Sequence, residues 1–149
     1  MPALLIRHGE WVVVCDGAKA LILQNAGNIN SPKLKTLEVF EQEDPPTRAL
    51  GTGEPGRSIN SVGNMRSAVE QTDWHDQAER TFLVRLVQHL DGAVLSGKAK
   101  SLIVVAPARA LGVIRPAYSQ ALKSAVRAEV DKDFVKMPVQ EIEKLLTGG

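Results

Sequence analysis

Two short apolar runs, Trp11-Val12-Val13-Val14-Cys15 and Ser101-Leu102-Ile103-Val104-Val105-Ala106, constrain this chain more than any other feature. A strand with one wet face alternates apolar and polar residues. Continuous runs rich in β-branched side chains belong to strands covered on both faces. The chain must therefore place material on both sides of a sheet, and its 149 residues are near the usual size of one domain with one core. The first run reads as a central strand and the second as a buried parallel strand, ended by Pro107. Neither approaches the roughly 20 apolar residues of a membrane span.

The remaining elements follow from period and punctuation. Asp16-Gly17 supplies a turn into a second strand, Lys19 to Gln24, so the first two strands form a hairpin. Asn25 to Pro32 forms another turn before a half-exposed third strand, Leu34 to Glu41. Asp76 to Ser96 has the helical period, with Ala78, Phe82, Leu86 and Leu90 four apart and Leu83, Val87 and Val94 widening the stripe. Asp73 reads as its N-cap and Gly97 as its terminal glycine. Ala108 to Ala125 has helical spacing, with Gly112 and Pro116 arguing for a kink or a delayed helix start. Val126, Ala128 and Val130 alternate as a last strand, and Pro138 opens a final helix as its first residue. The order β-β-β-α-β-α-β-α predicts an α/β fold, a mixed five-stranded sheet with helices on its faces, arranged in the ribonuclease H-like manner.

Residues 1–149 read as a single domain interrupted by a long glycine-rich loop, Gln42 to Asp73, where neither period persists. Structureless connections of about 30 residues are rare in compact domains and are usually functional or disordered. Within it, Gly51-Thr52-Gly53-Glu54-Pro55-Gly56-Arg57-Ser58 lacks the Lys-Ser/Thr ending of a phosphate-binding P-loop. Glycines and an arginine let backbone amides and a guanidinium approach phosphates. The surrounding charges are mixed, however: Arg48, Arg57 and Arg66 lie among Asp44, Glu54, Glu70 and Asp73. A ligand-contacting loop and a loop with no ligand both remain open on this evidence.

Charge and chemistry exclude more than they select. A formal net charge of +1 gives no global field toward nucleic acid or anionic membrane. Cys15 is the single cysteine, so no internal disulfide forms, and in a buried strand it reads as a small core side chain. The N-terminus, with Arg7, His8 and Glu10 after a short apolar run, does not read as a signal peptide, and the expected location is the cytoplasm. Two-metal nuclease chemistry needs convergent carboxylates; Asp16 reads instead as a turn residue, and Asp131 and Asp133 lie at the edge of the last strand. His8, His75 and His89 lack ligand spacing, and His75 and His89 read as solvated. Ser58, Ser61 and Ser67 have no nearby base. The sequence calls for no catalytic residue, metal or cofactor.

Several phrases nonetheless resemble the bacterial host attachment protein family across nearly the whole chain. They are Trp11 to Val14 with Asp16 to Ala20, Gly56-Arg57-Ser58, Thr72-Asp73, Phe82, Pro107 to Gly112 with Arg115, and Val130 to Phe134. That family is similar to the middle, peptidyl-tRNA-hydrolysing domain of archaeal and eukaryotic class-1 release factors, in which a Gly-Gly-Gln loop precedes a long helix. Here the corresponding loop has Gly51, Gly53 and Gly56 but no such triplet, and Glu54 stands where a glutamine amide would position water. The resemblance implies a non-catalytic cytoplasmic protein that influences attachment to host cells and binds ribosomes or tRNA. The contacts it implies are Gly51, Gly53, Glu54, Gly56, Arg57 and Arg66 of the 51–66 loop, with Arg109 and Arg115. A peptidyl-tRNA esterase and a surface-reaching protein-interaction module are the alternatives.

Overall fold

The computed structural model describes residues 3–42 and 60–148, with side chains in the long helix described from residue 74 onward. Its elements in chain order are β1 (Trp11–Cys15), β2 (Lys19–Asn25), β3 (Leu34–Glu41), α1 (Asn60–Leu95), β4 (Leu102–Ala106), α2 (Ala108–Ile114), a 3-10 turn (Arg115–Ala117), α3 (Gln120–Ala125), β5 (Val126–Asp131) and α4 (Val139–Thr147). The five strands form one mixed sheet in the order β3-β2-β1-β4-β5, antiparallel from β3 to β1 and parallel from β1 to β5. The expected α/β architecture is present.

β1 and β4 pair in parallel at the centre, and every residue of both is buried, as their unbroken apolar character requires. Trp11, Val13 and Cys15 point to the face covered by α1, α2 and α3, where Leu83, Leu86, Val87 and Leu90 meet them. Val12 and Val14 point to the other face, covered by α4 through Ile142 and Leu146, by Phe134 and Val135, and by Ile6 of the N-terminal segment. The β1–β2 turn is held by Asp16, whose Oδ1 accepts from the backbone N–H groups of Ala18 (2.8 Å) and Lys19 (2.9 Å). That is the turn role read from sequence. Gly17 is required by close approach: a Cβ there would lie 2.7 Å from Cδ of Glu79 on α1.

Two expectations are corrected. The long helix begins at Asn60, not near Asp73 or Asp76, so residues 60–73 of the expected loop are helical and Asp73 lies inside the helix. The remainder of that loop, 43–59, lies outside the described residues. Pro138 is the N-cap of α4 and not its first residue. The Ala108–Ala125 stretch breaks as expected at Pro116, into α2, the 3-10 turn and α3, and Ser119 caps α3 by accepting from Leu122 N–H at 3.0 Å.

The starting ends of β1, β4 and β5 are joined by a buried ion pair. Glu10, just before β1, has a side chain only 1% exposed. Its carboxylate accepts from Arg127 of β5 (Nε 2.7 Å, Nη2 2.8 Å), from the Ser101 hydroxyl before β4 (2.5 Å) and from Arg7 N–H (3.0 Å). Burial opposes ionisation of Glu10, but the hydrogen bonds from Arg127, Ser101 and Arg7 outweigh it and hold the carboxyl below its ordinary range. Arg127 also donates to Leu5 C=O at 2.6 Å, which ties the N-terminal segment to the sheet.

Candidate functional site

The other end of the sheet, where β1 and β4 finish, is where ligands bind in open parallel sheets. A crevice of about 280 Å³ lies there, between the Asp16-Gly17-Ala18 turn, Glu79 and Leu83 of α1, and Pro107, Arg109 and Ala110 at the start of α2. Arg109, which follows β4 by three residues, reaches α1 and pairs with Asp76 and with Glu79 (3.2 Å). One guanidinium thus faces two carboxylates one helical turn apart, which leaves this edge net acidic. These are exposed pairs, and each contributes little to stability. Among the described residues, no group of three or more His, Cys, Asp or Glu side chains is placed to hold a metal ion.

Arg115 turns to a different partner. Its Nε donates to Glu129 Oε1 of β5 at 2.8 Å, and Tyr118 Oη donates to Oε2 of the same carboxylate at 2.8 Å. Burial, then the hydrogen bond and negative charge of Glu129, raise the Tyr118 phenol above its ordinary value, so it stays protonated. Burial likewise pushes the Cys15 thiol up to about 12, consistent with an inert core side chain.

A second and larger depression, about 570 Å³, runs along the outer side of α1 beside the end of β3. Its apolar walls are Phe40 of β3 and Ala78, Phe82 and Leu86 of α1; Gln77, Thr81 and Arg85 of α1 and Gln42 after β3 supply polar groups. Trp74 stands at one end, 57% exposed. At the other, His89 meets the Phe40 ring edge-on (centroids 4.9 Å apart) and hydrogen-bonds Glu38 through Nε2 at 2.8 Å. His89 and His75 are both exposed, as expected, though His89 is held in place by β3.

Of the expected contact residues, Gly51, Gly53, Glu54, Gly56 and Arg57 lie outside the described residues, and Arg66 lies on α1 where side chains are not described. Arg109 and Arg115 are both described; Arg109 is engaged by Asp76 and Glu79, and Arg115 by Glu129. Sequence reasoning missed the Trp74 groove and the Glu10–Arg127 pair. An exposed tryptophan flanked by polar residues was the available signal for the groove. Nothing local signals an ion pair between residues 117 positions apart.

The pattern of the Bacterial archaeo-eukaryotic release factor family 12 matches residues 10–146, from the start of β1 to the end of α4. The chain belongs to that family. No curated protein matches it. As a member of release factor family 12 it carries a release-factor-like domain. No helix among its described residues is long and apolar enough to cross a membrane.

Proposed function

We propose that this family 12 protein is a non-catalytic domain of the bacterial cytoplasm that contacts the ribosome or tRNA through the glycine-bearing segment ahead of α1. The observation that carries the reading is the family match, whose span of 10–146 includes Gly51, Gly53, Glu54, Gly56 and Arg57. The strand order β3-β2-β1-β4-β5 supports the ribonuclease H-like form of the domain. Arg109 and Arg115 take part only by exchanging a carboxylate partner for a phosphate, so the main contact falls to Arg57 and the backbone amides beside it. Attachment to host cells, implied by the likeness to host attachment proteins, is then altered indirectly, through translation.

Co-sedimentation with ribosomes over a salt series is the test. The expected result is binding that weakens as salt rises and weakens further in Arg57→Ala; no sedimentation at low salt refutes the proposal. The release-factor family match also favours a second reading, an esterase on peptidyl-tRNA. Glu54 in place of a glutamine opposes it, because a carboxylate repels an RNA-borne ester where an amide would position water. Release of the acyl group from charged tRNA by purified protein would establish the esterase, and its absence with ribosomes present would exclude it.

A further inference from the structure

We infer that the groove between α1 and β3 binds a short stretch of single-stranded RNA, with one base on Trp74 and a backbone phosphate further along the same strand at Arg85. The inference rests on the reading that this family member contacts RNA. It adds a site that lies apart from the glycine-bearing segment, on described residues. Three aromatic side chains, Trp74, Phe40 and Phe82, line the groove. Aromatic faces on an open surface are the usual platform for single-stranded bases, because every base presents a π-face.

Asp76 and Glu79 lie on a different side of α1 from Arg85. Asp76 and Glu79 are turned toward Arg109 in the crevice at the end of β4, while the groove side presents Arg85 with the neutral groups of Gln77 and Thr81. A phosphate therefore meets a guanidinium on this side and no α1 carboxylate among the groove's lining residues. Gln77 and Thr81 each offer a donor and an acceptor to the edge of a base stacked on Trp74. Glu41 stands on the opposite, β3 wall and directs a phosphate toward Arg85. A groove whose main aromatic is 57% exposed is open along one side, which suits a base that stays attached to a chain better than a small apolar ligand that must be enclosed.

The full chain titrated with short single-stranded oligoadenylate, read by tryptophan fluorescence, tests the assignment. Trp11 is buried and serves as a constant background, so quenching reports Trp74. Saturable quenching is expected, absent with duplex RNA of the same length and weakened by salt. By anisotropy of labelled oligoadenylate, Trp74→Ala and Arg85→Ala should each weaken binding about tenfold; both residues are exposed, and circular dichroism checks that the variants are folded. No quenching at low salt by folded protein overturns the inference, as does quenching by an apolar peptide but not by RNA, or loss of quenching through self-association. Ribosome co-sedimentation that depends on Arg57, with no oligoadenylate binding, leaves the proposed function standing and removes the groove. Oligoadenylate binding without ribosome association does the reverse.

Discussion

Replacing Glu10 by Gln tests what holds the starting ends of β1, β4 and β5 together. The carboxylate accepts four hydrogen bonds, two of them from Arg127. The amide cannot accept both from the guanidinium, and Arg127 is left charged and without its counter-ion. Removing one partner of a buried ion pair costs about 3–5 kcal/mol. Arg127 keeps 30% of its side chain in contact with solvent, which places the expected loss near the lower end, about 3 kcal/mol. With a urea slope of about 2 kcal/mol/M, the unfolding midpoint should fall by roughly 1.5 M near neutral pH. The sign of the pH dependence follows from the lowered carboxyl pKa. The stabilisation is complete above the unfolded value of 4.5 and is lost as pH falls through the lower folded value. The gap between wild type and Glu10→Gln should therefore narrow on acidification. Equal midpoints at neutral pH, a gap that widens in acid, or a coupling below about 0.5 kcal/mol in a double-mutant cycle with Arg127→Met would each refute the argument.

Three further outcomes are expected. Leu90→Ala, wholly enclosed between α1 and the sheet, should cost about 3–5 kcal/mol in urea melts. Leu86→Ala, which also borders the groove, should stay nearer 2–3 kcal/mol, since solvent and neighbours can relax into the space; the reverse ranking would contradict the packing described. Gly17→Ala should destabilise by about 1–2 kcal/mol through contact with Glu79, and Glu79→Ala in the same chain should restore most of that loss; an unrelieved loss would place the cause in the turn backbone instead. Cys15, with its thiol pushed up to about 12, should resist a thiol reagent in native protein at mildly alkaline pH and react once urea unfolds the chain; rapid native labelling would show that β1 is not buried.

The sheet was legible because its strongest signals are local. Trp11–Cys15 and Leu102–Ala106 carry their burial in composition alone, and Asp16 makes the turn that its short oxygen-bearing side chain favours. The start of α1 was not legible for the converse reason. Asn60 to Asp73 contains Gly63 and Asn64, and its helical spacing rests on Val62, Met65 and Val69 alone, a trace too short and too interrupted by poor helix formers to stand out. Sequence period reports the face that packs against the core, and it is strong from Phe82 onward, where α1 joins the buried cluster through Leu83, Leu86, Val87 and Leu90. Candidate contacts divide in the same way. Arg109 was named only through the family resemblance carried by Pro107 to Gly112, and its carboxylate partners on α1 could not be read from its own segment. The groove needs Phe40 of β3 laid against the α1 face that carries Trp74, Phe82 and His89, which depends on how α1 crosses β3 and so is not a property of either segment.

The two ends of the sheet are chemically unequal, and the proposed contacts lie at only one of them. At the starting ends, the carboxylate and guanidinium of Glu10 and Arg127 are each satisfied within the protein, and Ser101 and the Leu5 carbonyl complete the network. A ligand there would have to replace bonds already made in a buried setting. At the finishing ends, Arg109 is shared between two exposed carboxylates, each pair weak enough to exchange. One helix, α1, borders both depressions: Asp76 and Glu79 are turned to Arg109 at the crevice, and Arg85 faces the groove. In the proposed mode of binding, an anionic polymer approaching this end is turned from these two carboxylates toward Arg85 and Trp74. Reversing the charge at the groove with Arg85→Glu should abolish oligoadenylate binding more completely than Arg85→Ala does; equal effects of the two substitutions would mean that the charge of Arg85 does not steer the ligand.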